Sequence, residues 1–68
     1  MKEVMKIINI DDIENPKSRE GVAIGEIIAI RNIRGKFISG KVYNNCISIG
    51  SFSIECDTPE ESLKYKPY

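Results

Sequence analysis

The 68-residue sequence contains no histidine, no tryptophan, one leucine and two cysteines. Histidine is the commonest general acid–base group at neutral pH, and a structural zinc site needs four Cys or His ligands. The sequence also lacks a glycine-rich phosphate loop, a nucleophile elbow and a zinc motif. It therefore predicts a protein that is not an enzyme and that uses no metal ion or cofactor.

The sequence has no excess of charge and no long apolar run. Ten basic and ten acidic residues give a net charge of zero, which provides no overall attraction to nucleic acid or to an anionic membrane. No apolar run approaches the roughly 18 residues of a membrane span, and MKEVMKIINIDDI turns acidic where a signal peptide would stay apolar. Two cysteines without a secretory signal indicate a reducing compartment. We expect a cytoplasmic protein without a membrane partner.

Isoleucine is the residue that the sequence does have in abundance, with 13 of 68 positions. β-branched side chains favour the pleated surface of a sheet, so the composition favours strands. A chain of this length forms one domain and buries only about 60% of its unfolded surface. Domains of this size often need a disulfide, a metal or a partner subunit. We predict a single small β-rich domain over residues 1–68.

The first half of the chain predicts two strands joined by a polar loop. Residues 2–10 indicate a strand, although Val4, Ile7 and Ile8 also fit helical spacing. Residues 11–21 carry six charges, a proline and a final glycine, which predict a solvated connection. Residues 22–33 give the strongest strand, with a bulge or bend at Gly25 and apolar residues on both faces. We expect that strand to be central, and Glu26 to reach solvent at the bend.

Three turn signals follow within about fifteen residues, too close together for all to be used. They are Arg34-Gly35, Ser39-Gly40 and Asn44-Asn45. Residues 36–43 are either one strand bent at Gly40 or a tight hairpin that turns at Ser39-Gly40. Asn44-Asn45 is a candidate because Asn tolerates the positive φ of a type I′ turn.

The near-symmetric stretch CISIGSFSIEC, residues 46–56, predicts a hairpin. A type II′ turn at Gly50-Ser51 sorts its isoleucines and Phe52 onto one face and its serines onto the other. That register sets Cys56 opposite Asn45 on the apolar face and points Cys46 the other way, so the two cannot bond. We expect a buried Cys56 and an exposed or partly covered Cys46.

The C-terminal residues 57–68 predict a short helix or a tail. Thr58, Pro59 and Glu61 form a helix-start signature, with Thr58 as N-cap. Together the segments predict an all-β or β-rich fold. Its four or five mostly antiparallel strands form a meander curled into a small barrel or half-barrel, with a short C-terminal helical turn. SH3-like and OB-like barrels are the nearest analogies.

One segment combines basic and aromatic residues as a binding surface would. RNIRGKFISGKVY, residues 31–43, has no acidic residue, and phosphate attraction with base stacking is what single-stranded nucleic acid binding needs. The candidate binding residues are Arg31, Arg34, Lys36, Phe37, Lys41 and Tyr43. Acidic segments 11–14 and 57–61 balance this basic one, which suits association between copies or with an acidic protein surface.

We therefore expect a non-enzymatic protein-binding, assembly or regulatory module that associates with itself or with another protein. A homo-oligomer would complete the small core. The alternative is RNA or single-stranded DNA binding through the same segment.

Overall fold

A computed structural model describes residues 6–50 and 54–65 of the chain. Four strands form one sheet in the order β1-β2-β3-β4. β1 pairs with β2 in parallel, and the two other pairings are antiparallel. The elements are β1 (Ile7–Asn9), β2 (Ile27–Arg31), β3 (Phe37–Val42), β4 (Ile47–Ile49) and a short helix, α1 (Pro59–Ser62). The prediction of a β-rich, mostly antiparallel fold with a short C-terminal helix is confirmed.

The described part of the sheet is open. β1 and β4 form its two edges and do not pair with each other, so residues 6–50 and 54–65 do not make the closed barrel that was one predicted form. The predicted strand at residues 2–10 is confirmed at Ile7–Asn9, while residues 2–5 lie outside the described residues. Its parallel pairing requires the chain to cross over the sheet before β2 begins.

The crossover between β1 and β2 covers one face of the sheet. It contains two 3-10 turns, Ile10–Asp12 and Pro16–Arg19, and the Asn15 side chain accepts a hydrogen bond from the Lys17 amide at 3.0 Å. Below it lies the hydrophobic core cluster, formed by Ile8, Ile28, Ile30, Ile38, Val42 and Ile47. The crossover contributes the partly buried residues Ile10, Ile13 and Val22, which pack on this cluster.

The strand predicted at residues 22–33 is shorter than expected. The bend at Gly25 is confirmed, but it delays regular pairing, so β2 begins only at Ile27. Gly25 donates to the Val42 carbonyl at 2.7 Å, and Ile24 beside it is 68% exposed instead of buried. Glu26 is exposed, as predicted. β2 lies between β1 and β3 and has buried residues on both faces, so its predicted central place is confirmed.

The ambiguity at residues 36–45 is resolved in favour of one strand. β3 passes straight through Gly40, which lies opposite Ile28 in the register with β2. A Cβ at Gly40 would sit 2.3 Å from Ile30 Cδ1 and 3.0 Å from Ile47 Cγ2. The glycine is therefore needed for close packing and not for a turn.

The turn between β3 and β4 falls at Asn44-Asn45, as one of the three signals predicted. Val42 pairs with Ile47, and the Tyr43 amide donates to the Cys46 carbonyl at 2.8 Å. Within the described residues only glycines have positive φ, so neither Asn adopts the type I′ conformation that motivated the prediction. The position of the turn is confirmed and its mechanism is wrong.

The predicted hairpin over residues 46–56 is only partly described, because residues 51–53, which include part of its turn at Gly50-Ser51, lie outside the described residues. Its described ends do not follow the predicted register. Cys56 pairs with Phe37 of β3, where the predicted register set it opposite Asn45, and Ile47 pairs with Val42. The edge of β3 thus pairs first with β4 and then with Cys56, because β3 has free backbone groups beyond β4. Both cysteines are free thiols, Cys56 buried and Cys46 exposed, as predicted.

The second face of the sheet is covered by residues 54–65, which we call the arm. Its helix α1 contacts β2 and β3, over the small buried side chains of Ala29 and Ser39. The Ser39 hydroxyl donates to the Tyr65 carbonyl. Thr58 caps α1 by accepting from the Glu61 amide at 3.2 Å, so the predicted helix start is confirmed.

Candidate functional site

The six predicted binding residues do not form one surface. Arg31 ends β2, Arg34 and Lys36 belong to the turn that follows, Phe37 and Lys41 lie on β3, and Tyr43 follows β3. Arg31 stands directly opposite Phe37 in the β2–β3 register. Because side chains alternate along a strand, Arg31, Phe37 and Lys41 share the arm side of the sheet.

Two of the six are neutralised within the chain. Arg34 Nη1 lies 3.0 Å from Glu55 Oε1, and the Lys36 ammonium is bonded to the Asp57 carboxylate. This hydrogen bond and the attraction of Asp57 raise the pKa of Lys36, and the same contact lowers the pKa of Asp57. The acidic and basic segments that we expected to meet between subunits therefore meet inside one chain.

The other basic residues make no such pair. No acidic group in residues 6–50 and 54–65 forms a salt bridge with Arg31 or Lys41. The Lys41 ammonium lies 5.7 Å from the centroid of the Tyr43 ring, and Tyr43 is 42% exposed. Phe37 is only half-buried, and its backbone N–H and C=O are both hydrogen-bonded to Cys56. This side of β3 presents a cation beside an aromatic ring.

The β2–β3 turn displays an apolar residue that sequence reasoning missed. Asn32 organises the turn: its side-chain oxygen accepts from the Arg34 and Lys36 amides, both at 3.0 Å. Gly35 closes it with a φ of +78°, which other residues rarely adopt. The turn is held from inside by these bonds, and the Ile33 side chain at its tip is left 86% exposed. An isoleucine inside a turn between two arginines was the available signal.

An open cleft of about 410 Å³ lies beside this tip, where the parallel strands β1 and β2 both end. Asp11 and Asp12 line one part of it and Arg31 another, so both signs of charge face the same space. The remaining lining residues are Asn9, Ile10, Asn32, Ile33 and Gly35. We call the tip and the cleft together the tip surface. It combines a protruding apolar side chain with a recess of mixed charge.

Comparisons with family models, with curated proteins and with solved structures return no match to this chain. Among the residues that the structure describes, no helix is long and apolar enough to span a membrane. Within the same ranges no three His, Cys, Asp or Glu side chains gather as a bound metal ion would require.

Proposed function

We propose that this chain is a non-enzymatic protein-binding and assembly module of the cytoplasm that associates with a second copy through the tip surface. The observation that carries the proposal is Ile33, which is 86% exposed beside a cleft that displays both signs of charge. A few large side chains that enter pockets of the partner supply most of the binding energy of a protein interface, and Ile33 is placed to be such a side chain.

The tip surface is complementary to itself. In a two-fold arrangement each Ile33 would enter the cleft of the other copy, and Arg31 of one copy would face Asp11 and Asp12 of the other. A two-fold interface uses the same patch on both subunits. A patch that has a protruding apolar side chain, a recess and both signs of charge can therefore bind the same patch of a second copy. Such pairing would also cover apolar surface that a small domain cannot bury alone.

Sedimentation equilibrium over a range of protein concentrations tests this proposal. We expect a reversible dimer for the wild type and a shift to monomer for Ile33→Asp, because a carboxylate in the interface would be buried without a partner. Ile24→Asp is the matched control, since Ile24 is also exposed, at 68%, but lies outside the tip surface. A wild type that stays monomeric at every concentration, or equal effects of both substitutions, would overturn the proposal.

RNA or single-stranded DNA binding is the second candidate. Lys41 against Tyr43 supports it, together with Arg31 on the same side of the sheet, which forms no salt bridge within residues 6–50 and 54–65. The ion pairs of Arg34 and Lys36 and the carboxylates beside Arg31 oppose it, because they cancel or repel phosphate charge. Its mark would be affinity for an oligonucleotide that falls steeply with salt and drops in Arg31→Ala and Tyr43→Ala. Affinity unchanged in both variants would dispose of it.

A further inference from the structure

We propose that the edge of β3 at Phe37, flanked by Arg34 and Lys36, is a binding site for an extended acidic segment of a partner protein, and that the arm occupies this site within the chain. The inference builds on the proposed protein-binding function and names a second surface and its kind of partner. It is independent of Ile33 and of the tip surface.

The arm shows which chemistry the site accepts. Phe37 donates to and accepts from Cys56 through backbone bonds of 2.9 and 2.8 Å, as in a regular antiparallel pair. The residues on either side of Cys56 are acidic and reach the two cations of the turn, Glu55 to Arg34 and Asp57 to Lys36. Strand addition to a sheet edge works in this way: the backbone supplies affinity and alternate side chains supply specificity.

The arm is a separable part of the fold. The core cluster and the partly buried residues that pack on it all come from residues 8–49. The arm is attached on the other face by the Cys56 bridge, by two solvent-exposed ion pairs, by the hydrogen bond from Ser39 to Tyr65 and by a short helix whose only fully buried side chain is Ser62 among the described residues. Exposed ion pairs contribute little to stability, and segments with few buried apolar contacts open before the rest of a domain. Release of the arm would leave the core cluster complete.

The exposed site would suit a polypeptide better than a nucleic acid. Once the arm is released, Phe37 presents both an N–H and a C=O at the edge of β3. A polypeptide backbone satisfies this donor and acceptor together, whereas a phosphate group offers only acceptors. The spacing of one small residue between two acids, as in Glu55-Cys56-Asp57, then matches the two cations of the β2–β3 turn, Arg34 and Lys36, which precede Phe37.

The test measures whether an acidic peptide binds when the arm is weakened. The probe is a fluorescent peptide with the native sequence of residues 54–65, and the readout is anisotropy with the full chain. We expect Glu55→Lys/Asp57→Lys to bind the peptide at least about tenfold more tightly than the wild type, whose attached arm competes at an effective concentration near millimolar. If circular dichroism shows that Glu55→Lys/Asp57→Lys is unfolded, Glu55→Gln/Asp57→Asn takes its place, because removing the two charges weakens the arm less than reversing them.

Charge reversal on the receptor side is the matched control. Arg34→Glu/Lys36→Glu should lose the native peptide and bind a peptide that carries Glu55→Lys and Asp57→Lys. Equal peptide affinity in wild type and opened variants, indifference to charge reversal, or tighter binding of an oligonucleotide than of the peptide would each overturn the inference. The sedimentation experiment with Ile33→Asp measures dimerisation and does not depend on peptide binding. Failure of the proposed peptide site can therefore be distinguished from failure of the proposed dimer.

Discussion

The two faces of the sheet are covered by different kinds of contact. On one face the crossover packs apolar side chains onto a cluster of isoleucines and a valine, of which Ile30 is fully buried. On the other face the arm lies over alanine and serine, with Ser62 of α1 buried, and is attached by hydrogen bonds and exposed ion pairs. Burial of apolar area is the larger stabilising term, so the first face should determine whether the chain folds.

The difference separates stability from binding. The core cluster itself is buried, whereas the arm side and the tip of the β2–β3 turn carry the paired charges and the exposed Ile33. Contacts that are individually weak and exposed to solvent can be exchanged for contacts with another molecule at small cost. We therefore place both proposed binding surfaces outside the core cluster.

The largest expected effect comes from truncation in the core. Ile30→Ala should lower the free energy of unfolding by about 2–5 kcal/mol, because it removes a fully buried side chain and leaves a cavity. A domain of this size has roughly 3–10 kcal/mol in total, so this loss is a large fraction of its stability. Ile24→Ala is the control, at a residue that is 68% exposed and outside the tip surface, and should stay within about 0.5 kcal/mol. Urea denaturation monitored by circular dichroism measures both, and equal losses would contradict the assignment of the core side.

A smaller effect is expected from filling the space at Gly40. Gly40→Ala should cost about 1–3 kcal/mol through overpacking, because its Cβ would meet Ile30 Cδ1 and Ile47 Cγ2. Adding Ile30→Val removes the closest of these atoms, so the double variant should lose less than the sum of the two single variants. Denaturant midpoints of all three variants give the coupling, and strict additivity would show that Gly40 does not contact Ile30 in solution.

Removal of the helix cap should affect the arm alone. Thr58→Ala removes the capping hydroxyl and should lower the free energy of opening the arm by about 1 kcal/mol. Thr58→Ser is the control, because serine keeps the hydroxyl. Cys56 reports the opening of the arm, because its burial, with the charges of Glu61 and Asp57 nearby, raises the pKa of the thiol and slows its reaction. We expect Thr58→Ala to speed labelling of Cys56 about fivefold with no change at exposed Cys46. Unchanged labelling of Cys56 would mean that the cap does not hold the arm.

The smallest effect concerns pH and the Lys36–Asp57 pair. The pKa of Asp57 is lowered, so its contribution is lost as the pH falls below about 4. The pKa of Lys36 is raised, so its contribution is lost as the pH rises above about 10.4. The Asp57 amide resonance should therefore shift at the acid limit, and Lys36→Gln or high salt should move the midpoint of that shift to higher pH, because the cation that lowers the pKa of Asp57 is removed or screened. An unchanged midpoint in Lys36→Gln would show that Lys36 does not pair with Asp57.

Local signals in the sequence were enough for the class of fold but not for the pairing of its last strands. Thr58 and Pro59 define a helix start, and Arg34-Gly35 and Asn44-Asn45 define two turns, because each depends on neighbouring residues only. The predicted register of residues 46–56 satisfied every local rule, and its described end is nevertheless wrong, since Cys56 pairs with Phe37, nineteen positions away in the chain. Alternation of side chains fixes which residues share a face and not which strand lies beside them.

The candidate site shows the same limit. The basic residues were visible in the sequence, but their partners Glu55 and Asp57 lie 21 positions away, so the neutralisation of Arg34 and Lys36 was not. Ile33 was missed because an isoleucine in a strand-rich segment is expected to be buried, and only the bonds made by Asn32 place it at the tip of a turn. Gly40 was ambiguous because the sequence does not show that Ile30 and Ile47 occupy the space above it.

Native-state hydrogen exchange tests the separation between core and arm most directly. The amide of Ile30 reports the core side, and the amides of Phe37 and Cys56, bonded to each other's carbonyls, report the arm. We predict that Phe37 and Cys56 exchange through a smaller opening that depends on salt and little on denaturant, while Ile30 exchanges only on global unfolding. A single opening free energy for all three amides, with the same denaturant dependence, would show that the arm belongs to the core and would contradict the account.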